Sequence, residues 1–249
     1  MSNRHRESRL WRKSYELDTR RGIRIEVVED PTTDDGDGNE AWCAWCLWPA
    51  AWVTVQYLSS LDDDAFINQS VIELGSGCGG LGMYLRKRKA SPVVLTDVYK
   101  DILRMRPYLR RAIQREAMKN LKRNVQANGL QADGELDICP LAWGTELARL
   151  PETVARRAPF DLAVAADCTY DFVNVETPSP TTDALLVSLK MLGRRALVCV
   201  SRRPNEEEAF LAALQRANLT ESATEVWRAA PGGPTPGVDE CVVYELSFG

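Results

Sequence analysis

The chain predicts an α/β fold: a mostly parallel sheet with helices on both faces. Three observations carry this. Short apolar runs recur along the 249 residues, stretches of helical spacing separate them, and the first run leads directly into a glycine-rich turn that opens a helix. Continuous apolar runs mark strands buried on both faces, which is the situation in a parallel sheet.

The elements follow in order. Residues 10 to 17 and 22 to 29 alternate well enough to predict a β-hairpin. "DPTTDDGDGNE" is then an acidic loop. Helical spacing returns in "PAAWVTVQYLSSL", with Pro49 suited to the first helical position because its missing N–H costs nothing there. "QSVIELGSGCGGLGMYLRKRK" reads as a buried strand, a glycine turn and a helix whose basic last turn suits the helix dipole. "PVVLTD" is a second strand. Residues 108 to 128 carry Leu109, Ile113, Ala117, Leu121 and Val125 at helical spacing, with Pro107 at the start. "ELDICPLAW", "FDLAVAAD", "RRALVCVS" and "CVVYELSF" are the remaining strands, "NEEEAFLAALQRA" is a helix, and "PSPTT" and "PGGPTPG" are loops. Residues 1–40 are expected to form an extension bearing the hairpin and acidic loop, ahead of one domain over 41–249.

Composition limits the function classes. The net charge of −4 hides strong segregation: residues 100 to 123 hold nine Lys and Arg against Asp101 and Glu116, whereas residues 26 to 40 hold seven acids and no bases. Such blocks are usually solvated faces. At a pI of about 5.3 whole-surface nucleic-acid binding is disfavoured. The polar, basic start "MSNRHRESRLWRKS" has no secretory apolar region, and no run reaches the roughly 20 apolar residues of a membrane span. Seven scattered cysteines fit a reducing compartment. A cytoplasmic monomer is expected, with the nucleus as a second location.

"ELGSGCGG" places glycines at 75, 77 and 80 between a strand and a helix, so the backbone can turn sharply and approach a ligand at a helix N-terminus. The same turn serves dinucleotides and S-adenosylmethionine. Asp97 ends the second strand, 24 residues beyond Glu73, where a carboxylate can accept hydrogen bonds from both ribose hydroxyls.

"LWPA", "VIELGSGCGGLG", "LTD", "LKRNVQANGL", "LAWG" and "DLAVAADCTY" occur in that order between Trp48 and Tyr170. Together they resemble methyltransferase family 16, the lysine-methylating branch of the seven-β-strand S-adenosylmethionine enzymes. The resemblance implies a Rossmann-like class I methyltransferase fold with a seven-stranded sheet and S-adenosylmethionine as cofactor. It implies that Gly75, Ser76 and Gly77 pass under the methionine part of the cofactor and that Asp97 holds the ribose. Trp143 lies against the adenine, Ala166 lines the cofactor through its backbone, and Trp48 walls the site. Glu73 supports the turn or the cofactor's amino group. Asn124 and Asn128 tie a helix end to neighbouring loops, with plain C-capping before Gly129 as the alternative.

"DCTY", Asp167 to Tyr170, matches the family's D-x-x-Y at the carboxyl end of the fourth strand, where ligands sit in open α/β sheets. It differs from the N/D-P-P-Y of enzymes that methylate nucleobase amino groups, which points to a protein side chain. Asp167 is assigned orientation and binding of the acceptor, because an anion beside an ammonium opposes its deprotonation. Tyr170 is assigned to the acceptor channel. The implied activity is methylation of a lysine in a specific intracellular protein. Rivals are arginine or histidine as acceptor, an NAD-dependent oxidoreductase on the same glycine turn, and a cofactor-binding scaffold without catalysis.

"AWCAWCLWPAAW", residues 41 to 52, adds a C-x-x-C at Cys43 and Cys46. A structural zinc site needs a second pair or histidines, and the sole histidine is His5, so no metal is expected. Trp42, Trp45 and Trp52 are expected to pack.

Overall fold

The computed structural model describes residues 11–29, 46–97, 107–169, 179–229 and 241–248. Cys43, Trp42, Trp45, His5, Tyr170, the acidic loop and "PGGPTPG" lie outside them.

The hairpin is present. Strand β1 (Trp11–Asp18) pairs antiparallel with β2 (Ile23–Glu29), setting Tyr15 opposite Ile25. Period-2 alternation turns Tyr15, Leu17, Ile23, Ile25 and Val27 onto one apolar cluster of the body. Helix α1 (Pro49–Ser60) starts with Pro49 in its first turn. At its carboxyl end the Ser59 and Ser60 hydroxyls donate to the Gln56 and Tyr57 carbonyls, the Leu61 N–H donates to the Leu58 carbonyl, and two arginines supply further donors. Arg88 donates to the carbonyls of Leu58 and Asp62, and Arg21 of the hairpin turn donates to those of Ser59 and Leu61. Buried Asp18 accepts from Arg21 and from the Tyr84 hydroxyl, which in turn accepts from Arg88. This relay pins the hairpin to the body.

The main sheet comprises β3 (Val71–Leu74), β4 (Val93–Asp97), β5 (Leu136–Pro140), β6 (Leu162–Ala166), β7 (Arg195–Ser201), β8 (Ala223–Arg228) and β9 (Cys241–Ser247). Their order is β5-β4-β3-β6-β7-β9-β8. The first five are mutually parallel, and β9 runs antiparallel to both β7 and β8. Order reverses between β3 and β4 on one side and β6 on the other, so the carboxyl ends of these strands form the crevice where ligands bind in open sheets.

Alternate strand residues feed two cores. Val71, Val93, Leu95, Leu162, Val164 and Leu197 meet α1, α2 (Gly80–Lys87), α3 (Pro107–Ala127) and the hairpin. Ile72, Leu74, Val94, Ala163, Ala165 and Val198 meet α4 (Glu152–Ala155), α5 (Pro180–Leu192) and α6 (Glu206–Arg216). Both faces being covered, the strands read as mainly apolar runs, with charged exceptions such as Glu73 of β3 and Asp137 of β5.

Three local readings change. "PSPTT" does not stay a loop: Ser179 caps α5 by accepting the Thr182 N–H at 3.1 Å, and Pro180 opens the helix. The third strand stops at Pro140, short of "LAW". Strand β8 carries Thr224, Glu225 and Arg228 exposed on the sheet edge, so it lacks the apolar run that marks the other strands.

Candidate active site

The glycine turn leaves β3 at Gly75. Gly75, Gly77 and Gly79 have φ of +71°, +53° and +82°, a region that costs other residues about 1–2 kcal/mol each. The turn is tied at several points. The Ser76 N–H donates to the Thr96 carbonyl (2.9 Å), the Thr96 hydroxyl to the Glu73 carbonyl (2.7 Å), and the Gly79 N–H to the Ser76 carbonyl (2.7 Å). The Gly77 N–H donates to Asp97 Oδ2 at 2.6 Å, so the carboxylate ending β4 is clamped to the turn that leaves β3.

Glu73 is buried and accepts the Gly82 N–H of α2 at 3.1 Å. Burial pushes its carboxyl up to about 8, against the lowering effect of the Ser76 hydroxyl and the Gly82 N–H, so it is largely protonated at neutral pH. Through the Gly82 hydrogen bond Glu73 ties the end of β3 to the first turn of α2. Asp97 is half-buried, and desolvation raises its carboxyl to about 6 even with the Gly77 hydrogen bond lowering it.

Trp143 lies beside the turn. A Cβ built on Gly75 would stand 3.1 Å from Cζ2 of Trp143 and 2.7 Å from Sγ of Cys168. The indole and the thiol therefore flank the Gly75 backbone on contact. Cys168 donates to the Leu74 carbonyl (3.2 Å), and Ala166 ends β6 two residues earlier. The loop bearing Trp143 is anchored by the Gly144 N–H, which donates to Ser188 Oγ of α5 at 2.8 Å. Trp48 is half-buried and stands at the N-cap of α1. Its neighbour Leu47 packs against Gly80, so this segment lies at the first turn of α2.

Asn124 and Asn128 tie the end of α3 to a strand edge as well as to the glycine turn. They face a strand edge: Asn124 accepts the Val28 N–H (2.8 Å), and Asn128 both accepts the Glu26 N–H (2.9 Å) and donates to the Glu26 carbonyl (2.7 Å). Asn124 also donates to the Cys78 carbonyl of the glycine turn at 3.0 Å. Gly129, at φ +68°, still ends the helix in the left-handed conformation.

At the carboxyl end of β6, Asp167 is buried with φ +57°. The Arg203 guanidinium grips it with both prongs: Nη1 donates to Oδ1 and Nη2 to Oδ2, each at 2.8 Å. The Ser201 hydroxyl donates to Oδ1 at 2.9 Å. Arg203 also donates to Glu206 Oε2 (2.9 Å), and the Thr169 hydroxyl donates to Glu206 Oε1 (2.8 Å). Sequence reasoning missed Ser201, Arg203 and Glu206. Their signal was present in "SRRPNEEE", directly after the fifth predicted strand at the ligand-bearing end of the sheet.

The arrangement fits an adenosyl ligand. Gly75 leaves a backbone surface that a Cβ would obstruct, Trp143 brings the six-membered ring of its indole beside it, and Asp97 is an acceptor at the neighbouring strand end. Among the described residues no cluster of His, Cys, Asp and Glu is arranged to hold a metal ion.

Comparison with known proteins gives the same picture. A calmodulin-lysine N-methyltransferase of Arabidopsis thaliana is 27% identical over 187 residues, 74% of this chain and 54% of its own; the chain spans about half the length of that relative. A methyltransferase structure from Pyrococcus furiosus superposes with a TM-score of 0.51 at 13% identity, covering 80% of this chain and 83% of its own. A Streptococcus mutans structure assigned to the S-adenosylmethionine-dependent methyltransferases gives 0.55 at 9% identity, with 96% of this chain and 56% of its own covered. These two share the fold. Residues 33–217 match the family described as lysine methyltransferase, a span that takes in the glycine turn, Asp97, Trp143 and Asp167, and the chain belongs to that family, whose cofactor is S-adenosylmethionine.

Proposed function

We propose that this protein transfers a methyl group from S-adenosylmethionine to the side-chain amine of a lysine in an intracellular protein. The observation that carries the reading is the contact of Trp143 with Gly75 beside the Gly77–Asp97 clamp, within a chain of the lysine methyltransferase family.

When bound, the cofactor supplies the methyl group and a positive sulfonium. The chain's residues do the rest by placement. Asp97 would accept from the ribose, the turn from Gly75 to Gly77 would pass under the methionine part, and Trp143 would cover the adenine. An ordinary lysine, with a pKa near 10.4, is about one part in a thousand neutral at pH 7.4, a cost of roughly 4 kcal/mol before attack. A dry cleft and a nearby cation lower that cost. Asp167 follows β6 directly, beside Ala166, at the ligand-bearing end of the sheet, and the acceptor would arrive there.

Labelling a hypomethylated lysate with tritiated donor, followed by mass spectrometry of the labelled band, tests the proposal. Label in lysine supports it. Label in arginine or histidine, or stabilisation by NADH instead of S-adenosylhomocysteine in a melting assay, refutes it.

A further inference from the structure

An ionised carboxylate beside the acceptor works against the proposed reaction, because it holds a lysine in its protonated form. On the lysine reading Asp167 stands at that place, and its surroundings offer a resolution of the conflict. Both oxygens are taken up by one guanidinium at 2.8 Å, in the fork geometry that only arginine offers. The Asp167 side chain is 5% exposed and that of Arg203 is 30% exposed. The pair is thus closed on the Asp167 side and open on the Arg203 side.

We propose that Arg203 is a positioning residue that acts through Asp167: it cancels the carboxylate's charge and fixes the left-handed turn at the end of β6, so the acceptor amine meets a neutral, rigid pair. The inference rests on the lysine reading given above. The conformation at Asp167 is one that persists when surrounding contacts over-determine it. Here the Arg203 fork, the Ser201 hydroxyl and the Asp167 N–H donating to the Cys199 carbonyl at 3.0 Å do so. The next residue, Cys168, is thereby delivered to the Leu74 carbonyl and the Gly75 backbone, which links the acceptor end of β6 to the cofactor turn.

Among the described residues, the other titratable groups facing Asp167 are these. Glu206, at the start of α6, shares Arg203 and is raised by burial. The thiols of Cys168 and of Cys199 on β7 are raised well above the ordinary range by burial, and Cys241 on β9 is held down by a hydrogen bond from Cys199. Arg203 is the cation among them: burial works against its charge, and its carboxylate partners Asp167 and Glu206 outweigh burial and keep it charged.

The test uses the lysine-bearing protein labelled in the lysate, purified and saturating, with single-turnover rates measured from pH 6.5 to 10. R203Q bares the carboxylate, so the acid limb of the rate profile should move up by about one pH unit, roughly tenfold slower at pH 7.5 and recovering as the pH rises. D167N removes one of the two carboxylates that share the guanidinium and should move the limb down, D167N/R203Q should return it to the wild-type position, and R203K should leave it in place. The opposite signs keep the test informative if R203Q folds poorly. A loss in R203Q that is equal at every pH, or limbs that coincide in R203Q, D167N and wild type, overturns the inference while leaving the lysine reading intact. Label in a residue other than lysine overturns both.

Discussion

The side-chain amide of Asn124 donates to the carbonyl of Cys78 across 3.0 Å while its oxygen accepts the Val28 N–H at 2.8 Å. One buried side chain thus joins the N-terminal hairpin to the glycine turn. Each buried partner left without its hydrogen bond costs about 1–3 kcal/mol. Asn124→Ala should therefore lower unfolding stability by about 3 kcal/mol in urea denaturation and weaken S-adenosylhomocysteine binding in calorimetry. Asn124→Asp keeps the acceptor for Val28 and loses the donor to Cys78. It should lose cofactor affinity out of proportion to stability; equal losses in both would show that the turn does not depend on this contact.

Gly75 has no room for a side chain. A Cβ would press on Sγ of Cys168 at 2.7 Å and on the Trp143 ring at 3.1 Å, at a φ of +71°. Gly75→Ala should displace the indole, read as a change in tryptophan fluorescence, and abolish measurable S-adenosylhomocysteine binding. Trp143→Ala should be milder, losing about 1–3 kcal/mol of binding, the range for stacking of an aromatic ring on a base. An unaltered affinity in both variants would refute the placement of the adenine.

Asp97 supplies a pH signature. Its carboxyl sits at about 6, and only the ionised form has lone pairs free for two ribose hydroxyls. Affinity for S-adenosylhomocysteine should be flat above pH 7 and fall by about tenfold per unit as the pH drops below about 6. Asp97→Asn should bind weakly at every pH. A wild-type affinity that holds at pH 5 would contradict a ribose role for Asp97.

Glu73 gives the opposite dependence, in stability. Its folded value of about 8 lies above the ordinary 4.5, so the fold prefers the neutral acid. That contribution is full below about 4.5 and is lost as pH rises through 8. Glu73→Gln, neutral throughout, can still accept the Gly82 N–H. Its melting temperature should match the wild type near pH 4.5 and exceed it by several degrees at pH 8. A gap that does not change with pH would exclude the buried neutral carboxyl.

Much of this site was legible from local features. Gly75 and Gly77 were readable because a strand that turns at once into a helix needs residues free to take positive φ, and both do. Asp97 was readable because "PVVLTD" ends in a carboxylate at a strand terminus. Helix α5 was harder, since "PSPTT" has loop composition and becomes a cap and first turn only when the following residues reach the second core. Strand β8 gave no signal, because an edge strand with exposed Thr224 and Glu225 lacks the apolar run that identifies a buried one.

The sequence by itself determined where the parallel strands lie, where the chain turns from β3 into α2, and which carboxylate ends β4, because each depends on residues within a few positions of one another. Only the tertiary structure decided that Arg203 closes on Asp167, 36 residues away, that Asn124 reaches Val28 across 96, and that Trp143 rests on Gly75. Those partnerships exist because β7 pairs beside β6 and α3 packs against the edge of β2. Strand neighbours are chosen by the burial of both sheet faces together, a condition that belongs to the whole chain and to no single stretch of it.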